Sequence, residues 1–208
     1  MLIIGLNGSP NKEGNTAYLL KEALSEIRDW GAETELINCA DALKGLKTPF
    51  CLACSSPCLA KCYQKKELAK VYERLAVCDG IILGSPVYFG TVSGQMKTFW
   101  DKSRALRTGK VLLNVVGGAL TTGGSRYGGQ ETTLRALQDI MLVQGMIVVG
   151  DGYIDDDAGH QGVAGQKPVE QDANAQQRAR ILGRRLVQVC AATRDIRVRP
   201  ATVSYSSS

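Results

Sequence analysis

Short apolar segments that alternate with helical patterns constrain this chain more than any other feature. Residues 1–6 form an apolar run that ends in a Gly-Ser-Pro turn, and similar runs occupy residues 77–84, 110–116 and 146–149. Continuous apolar runs of this length are typical of strands buried on both faces of a parallel sheet. Residues 33–39 alternate between polar and apolar side chains and predict a further strand. The sequence therefore predicts five strands.

Helical patterns fill the intervals between these strands. Leu20, Ala23, Leu24 and Ile27 share one helical face, and that helix is predicted to end near Gly31. Further helices are predicted over about 65–75, 93–106, 131–144 and 169–192. Parallel strands need crossover connections, and here these connections are helical. We therefore predict an α/β domain over residues 1–192, with a doubly wound, five-stranded parallel sheet and a C-terminal tail over 193–208.

Charge is distributed unevenly along the 208 residues. The net charge is +5, yet seven arginines and a single acid lie from Arg178 onward, which leaves 18 basic and 19 acidic residues in the rest. A solvated helix face explains such an Arg-rich helix better than nucleic-acid binding does. The first residues lack the charged and apolar pattern of a secretory signal, and no apolar stretch approaches the roughly 20 residues that cross a bilayer. These features predict a cytoplasmic protein without a membrane or nucleic-acid partner.

Three loops that follow predicted strands are rich in small and hydroxyl residues. In an open α/β sheet such loops meet at the carboxyl edge, where ligands bind. The first precedes a helix N-terminus, which favours phosphate binding, and the second carries two aromatic side chains that suit a flat ring. No dinucleotide-binding or P-loop glycine pattern is present, so a planar mononucleotide fits better. The loops contain Ser9, Lys12, Asn15 and Thr16; Tyr88 and Phe89; and Thr121, Thr122, Gly123 and Gly124.

Three segments in these loops resemble the flavodoxin-like NAD(P)H-dependent FMN reductases and, within them, the iron-sulfur flavoproteins. They are GLNGSPNKEGNT at 5–16, GSPVYFGTVSGQMKTFWDK at 84–102 and TTGGSRYGGQETTL at 121–134. The resemblance implies a flavodoxin-like sheet of order 2-1-3-4-5 and a bound FMN. It assigns the phosphate to Ser9, Asn15 and Thr16, with Lys12 nearby. It assigns the flavin ring to Pro86, Val87, Tyr88, Phe89 and Gly90 on one side, and to Thr122, Gly123 and Gly124, beside Thr121, on the other.

Four of the seven cysteines, Cys51, Cys54, Cys58 and Cys62, lie within twelve residues with the spacing C-x2-C-x3-C-x3-C. Four thiolates so close in sequence can enclose a compact iron-sulfur cluster. A structural zinc usually takes its ligands as two separated pairs. The resembling flavoproteins carry a four-cysteine motif after their second strand that ligates a 4Fe-4S cluster, with gaps of two residues in the middle and at least four before the last cysteine. This chain departs from that spacing and has Pro57 in its middle gap, so zinc, a disulfide and reduced thiols remain alternatives.

The leading hypothesis is an FMN-binding redox protein that passes electrons between the flavin and a 4Fe-4S cluster. The family implies a homodimer or homotetramer, and the electron partner is a small molecule or a ferredoxin-type protein, with NAD(P)H as a candidate donor. A second hypothesis is an NAD(P)H-dependent FMN or quinone reductase without a cluster. A third is a zinc and nucleic-acid-binding module, which leaves the three edge loops without a role.

Overall fold

Six parallel strands form one sheet in the computed structural model, which describes residues 1–197 and 199. The order β2-β1-β3-β4-β5 confirms the predicted flavodoxin-like order 2-1-3-4-5, and β6 pairs with β4. The strands are β1 (Leu2–Asn7), β2 (Glu33–Asn38), β3 (Gly80–Pro86), β4 (Val116–Gly123), β5 (Ile147–Val148) and β6 (Val163–Gln166).

The fourth strand lies later in the chain than the sequence predicts. Residues 110–113 form turns, and β4 continues past the predicted strand end at 116 as far as Gly123, which lies in a predicted loop. Every residue of β4 is buried. A Cβ on Gly117 would lie 2.4 Å from the Met141 sulfur, and one on Gly118 would lie 2.8 Å from a Leu186 methyl carbon. Glycine therefore lets helices pack closely on both faces of this strand, and the prediction of a strand at 110–116 is wrong.

The edge beside β4 is shared by two short strands. β5 pairs with Val116 and Gly117, whereas β6 pairs with Leu120, Thr121, Thr122 and Gly123 further along. The fifth strand position is thus interrupted by residues 149–162, and β6 is an additional strand beyond the five that the sequence predicts. The two pieces together pair with both ends of β4 and leave Gly118 and Ala119 between them.

Over the described residues, seven helices surround the sheet. They are α1 (Asn15–Asp29), α2 (Cys39–Ala42), α3 (Glu67–Val77), α4 (Gly94–Asp101), α5 (Arg104–Thr108), α6 (Gln130–Val143) and α7 (Ala173–Ala192), with 3₁₀ turns at Val169–Gln171 and Arg194–Ile196. The single helix predicted over 93–106 is two helices, because the chain breaks at Lys102 and Ser103, whose hydroxyl donates 2.7 Å to the Trp100 carbonyl. Of the predicted tail, residues 198 and 200–208 lie outside the described residues.

Two apolar cores lie on opposite faces of the sheet. Leu20 of α1 and Leu186 of α7 belong to one core, while Leu68 of α3, Phe99 of α4 and Leu137 of α6 belong to the other. This is the doubly wound arrangement that the sequence predicts. Among the described residues, no helix has the length and apolar character needed to cross a membrane.

The arginines of α7 form ion pairs within the chain. Arg178 contacts Asp151 at 2.6 Å and Asp157 at 2.9 Å, and its hydrogen bonds hold the pKa of the Asp157 carboxyl below its ordinary value. Arg184 contacts Glu26 of α1 at 2.9 Å. Arg184 therefore attaches α7 to α1, and Arg178 attaches α7 to the segment 149–162.

We expect Arg178→Ala to lower the free energy of unfolding by about 3 kcal/mol or more, because it leaves Asp151 as an unpaired buried carboxylate. Asp151 is only 1% exposed and keeps the backbone N–H of His160 as a donor. Urea unfolding followed by circular dichroism measures the change. The control is Arg185→Ala, whose guanidinium bonds to the side chain of Gln188, with an expected loss within about 0.5 kcal/mol. Equal losses in both variants would contradict this account of Arg178.

Candidate functional site

A cavity of about 240 Å³ opens at the carboxyl edge of the sheet, where the chain leaves β1, β3 and β4. A second cavity of about 560 Å³ adjoins it and shares Lys167. The first is lined by Ser9, Asn11, Gly14, Asn15, Thr16, Pro86, Val87, Tyr88, Thr122, Gly123, Gly124 and Lys167.

The loop after β1 is held by the buried side chain of Asn7. Its Oδ1 accepts a hydrogen bond from the Ser9 N–H at 3.0 Å, and its Nδ2 donates to Asn38 of β2 at 2.9 Å. The loop ends at Gly14, which precedes α1 and gives the helix no side-chain cap. The first N–H groups of a helix have no acceptor within that helix, so α1 presents donors and the positive end of its dipole to this cavity. This arrangement suits an anion.

Two threonines join the first and third loops. The hydroxyls of Thr16 and Thr122 lie 2.8 Å apart, and both residues are buried. Asn15 Oδ1 accepts from the Val169 N–H at 3.0 Å, which leaves the amide group of Asn15 as a donor. The floor of the cavity is therefore polar and fixed before any ligand binds.

The loop after β3 exposes two aromatic rings. Tyr88 is 44% exposed and Phe89 is fully exposed, with a left-handed backbone at Phe89 (φ +50°). The loop is tied down at both ends, since Val87 N–H donates to the Thr122 carbonyl at 2.9 Å and Thr132 Oγ1 donates to the Gly90 carbonyl at 2.7 Å. A backbone held in this way presents two exposed aromatic rings close to a polar cavity.

Nine of the thirteen residues predicted to bind the cofactor line this cavity together. They are Ser9, Asn15, Thr16, Pro86, Val87, Tyr88, Thr122, Gly123 and Gly124. The other four lie outside its lining. Lys12 pairs with Asp41 at 2.6 Å, Phe89 and Gly90 form the outer turn of their loop, and Thr121 is buried with its hydroxyl donating to Ser85.

Sequence reasoning missed Asn11, Gly14 and Lys167 as lining residues. Asn11 and Gly14 belong to the first quoted segment, so only their individual roles were missed. Lys167 follows β6, and its N–H donates to the Gly123 carbonyl at 2.9 Å. The only signal for it was the short Val-Ala-Gly-Gln run before Lys-Pro, which resembles a loop as much as a strand.

The four clustered cysteines lie in the segment between α2 and α3, after β2. All four are free; Cys54 and Cys62 are exposed, and Cys51 and Cys58 are partly exposed. In the described part of the chain, no three Cys, His, Asp or Glu side chains form an arrangement that would hold a metal ion. The structure thus gathers the four thiols in one surface segment without directing them at one point.

Lys102 lies beneath this segment and is only 2% exposed. Its ammonium donates to the Phe50 carbonyl at 3.2 Å and lies 3.9 Å from the Cys62 sulfur. Desolvation raises the pKa of the Cys62 thiol above its ordinary value, and the charge of Lys102 acts in the opposite direction. A buried cation beside the Cys62 thiol suits an anionic group formed from the thiolates of this segment.

The other three cysteines, Cys39, Cys78 and Cys190, are buried in the two apolar cores. Burial raises the pKa of Cys78 and of Cys190 to about 12, and that of Cys39 rises further for the same reason. These thiols are therefore inert at neutral pH.

The sheet order and its edge cavity define a flavodoxin-like protein. The model of the NADPH-dependent FMN reductase family matches residues 1–161. An iron-sulfur flavoprotein of Methanocaldococcus jannaschii is 43% identical over 195 residues, covering 91% of this chain and 97% of that protein. Another, from Archaeoglobus fulgidus, is 34% identical over 210 residues, covering 95% and 99%.

A solved structure supports the fold. The flavodoxin, WrbA-like protein from Agrobacterium tumefaciens superposes with a TM-score of 0.62 at 20% identity, covering 92% of this chain and 97% of that one. The chain belongs to the NADPH-dependent FMN reductase family and, within it, to the iron-sulfur flavoproteins. It is therefore a flavin-dependent oxidoreductase.

In metal-free protein at pH 8, we expect iodoacetamide to label the exposed Cys54 rapidly and Cys39, Cys78 and Cys190 at least tenfold more slowly. A thiol of pKa about 12 has a thiolate fraction of only about 10⁻⁴ at that pH, and the thiolate is the reacting form. Peptide mass spectrometry at successive times gives each rate, and all seven should react alike in urea. Labelling of Cys78 or Cys190 as fast as Cys54 in the folded protein would contradict the assignment.

Proposed function

We propose that this protein is an iron-sulfur flavoprotein that binds FMN at the edge cavity and a 4Fe-4S cluster at Cys51, Cys54, Cys58 and Cys62. The observation that carries the proposal is the placement of the two candidate sites. The cavity follows β1 and the cysteine segment follows β2, which is the neighbouring strand, so both open at one edge of the sheet.

The phosphate of FMN would lie against the loop of residues 9–16. Ser9 and Thr16 supply hydroxyls there, Asn15 supplies its amide, and the uncapped start of α1 supplies N–H groups. Lys12 would add only a more distant charge, because it is paired with Asp41.

The flavin ring would lie between the second and third loops. Pro86, Val87 and Tyr88 form one wall, while Thr122, Gly123 and Gly124 form the other. A Cβ at Gly124 would meet nothing within 4 Å, so the absence of a side chain leaves open space where a flat ring can approach the backbone. Lys167, at the mouth of both cavities, is placed to meet the flavin or an anionic electron donor.

When bound, FMN accepts electrons in pairs or singly and the cluster carries them singly, so together they convert two-electron into one-electron transfer. The residues of the chain contribute binding and orientation, and no acid or base catalyst is required. NAD(P)H is the proposed donor, and a small molecule or a ferredoxin-type protein is the proposed partner. A homodimer or homotetramer in a reducing cytoplasm, where free thiols persist, completes the proposal.

One observation favours a cluster-free NAD(P)H-dependent FMN or quinone reductase as the second candidate. The four thiols do not converge on a point in the described structure. This alternative keeps every residue of the edge cavity and differs only in leaving the cysteine segment without iron.

For FMN binding we expect Thr122→Val to weaken affinity about threefold to tenfold, because it removes a buried hydroxyl from the cavity floor. Fluorescence quenching of FMN titrated with the flavin-free protein measures the dissociation constant. Thr121→Val is the matched control. It removes the hydroxyl of the adjacent residue, which donates to the Ser85 carbonyl outside the cavity, so FMN affinity should stay within about twofold. A larger loss in Thr121→Val than in Thr122→Val would count against this site.

For the cluster, anaerobically purified protein should contain about four iron and four sulfide per chain, with visible absorbance that bleaches with dithionite. Cys54→Ser should lose iron and keep flavin, since a hydroxyl is a poor ligand for iron in such clusters. Cys190→Ser, which changes a buried core thiol, should keep both. If the unmodified protein contains flavin but no iron, the proposal of a cluster is rejected, and the cluster-free FMN or quinone reductase is the function that remains.

A further inference from the structure

In the part of the chain that the structure describes, the buried ammonium of Lys102 has no carboxylate partner. Among the ion pairs of the described residues none includes Lys102, although most other charged groups of the chain are exposed or paired. Its contacts are the Phe50 carbonyl and the sulfur of Cys62. A charge removed from water is strongly destabilising unless an opposite charge compensates it. The thiols above it are therefore the groups that can supply this compensation.

The two contacts of Lys102 are at the two ends of the cysteine segment. Phe50 directly precedes Cys51, and Cys62 is the last of the four cysteines. One ammonium thus connects the point where the chain enters the proposed cluster loop with the point where it leaves. These two contacts of Lys102 restrain the distance between Cys51 and Cys62, the first and the last cysteine of the proposed cluster site.

Helix α4 holds Lys102 in this position. Lys102 follows Asp101, the last residue of α4, and the helix is anchored by Phe99, whose carbonyl accepts a 2.6 Å hydrogen bond from the buried hydroxyl of Tyr72. At its other end, Ser93 Oγ donates to the Gly8 carbonyl at 2.5 Å and accepts from the Met96 N–H. At its start, α4 is therefore hydrogen-bonded to the loop after β1, where the FMN phosphate is proposed to bind. At its end, Lys102 is hydrogen-bonded to the cysteine segment.

We propose that Lys102 is the internal counter-cation of the cluster: it ties the two ends of the cysteine loop together and stabilises the reduced form of the cluster. This inference rests on the proposed function. One-electron reduction adds a negative charge to a group that already carries four thiolates, and a buried positive charge favours the more negative state. The electron comes from the reductant.

The lysines around the segment make this prediction specific. Lys47, Lys61, Lys65 and Lys66 are exposed, so water and salt screen their charges. Lys102 is the buried one, and its field is screened far less. Removing Lys102 should therefore change the cluster much more than removing an exposed lysine does, even one that adjoins a ligand in sequence.

The test compares Lys102→Met, Lys102→Arg and Lys61→Met in anaerobically purified holoprotein. The readouts are iron per flavin and the midpoint potential of the cluster, obtained by dithionite titration followed by electron paramagnetic resonance. Lys102→Met should favour the oxidised cluster about tenfold or more, a negative shift of about 59 mV for one electron, and should also lose iron faster to a chelator. Lys102→Arg should restore most of both properties, and Lys61→Met should resemble the unmodified protein.

Several results would overturn the inference while leaving the proposed function intact. One is a potential and an iron-loss rate in Lys102→Met that match those of Lys61→Met. Another is a Lys102→Arg protein that behaves like Lys102→Met, since the charge would then not be the cause. If Lys102→Met keeps flavin but cannot hold iron, full iron content in Lys102→Arg supports the role of the charge. Absence of iron from the unmodified protein would overturn both the inference and the proposed cluster.

Discussion

Parallel pairing of β1, β3 and β4 at the centre of the sheet is the constraint on which the rest of the structure depends. It directs the carboxyl ends of all three strands to one edge, so three loops distant in sequence meet there. It also requires helices on both faces, and these approach so closely that a Cβ on Gly84 would lie 2.8 Å from a methyl carbon of Leu20. The parallel pairing of these strands therefore explains both the glycines in the central strands and the cavity at the carboxyl edge of the sheet.

Helix α4 connects the two proposed redox sites. Ser93 at its start supports the loop after β1, and Lys102 just beyond its end reaches the cysteine segment. A helix of this length spans about 12 Å, so one rigid element sets the relation between the two sites. The aromatic contacts from Tyr72 to Phe99 and from Phe99 to Trp100 fix it in the core. This support explains how a surface segment with little regular structure can keep a defined position beside the sheet.

The sequence was sufficient for the doubly wound α/β class and for most of the edge cavity, because apolar runs and loop motifs are local signals. The sheet order followed only from the resemblance of the loop motifs to the flavodoxin-like reductases. The sequence failed at β4, where Gly117 and Gly118 suggested a loop although close helix packing requires glycine in that strand. It failed at β6, whose four residues carry no period long enough to recognise. Lys102 looked like any lysine inside the helix predicted over 93–106, since the contacts that accompany its burial come from the cysteine segment, which is distant in sequence.

The most direct test of the account is a crystal structure of the anaerobically purified protein with anomalous data collected at the iron absorption edge. The account predicts flavin in the edge cavity, with its phosphate at residues 9–16 and its ring beside Tyr88, and one compact iron peak enclosed by Cys51, Cys54, Cys58 and Cys62. Flavin in another cleft, or an ordered cysteine segment without an iron peak, would contradict it.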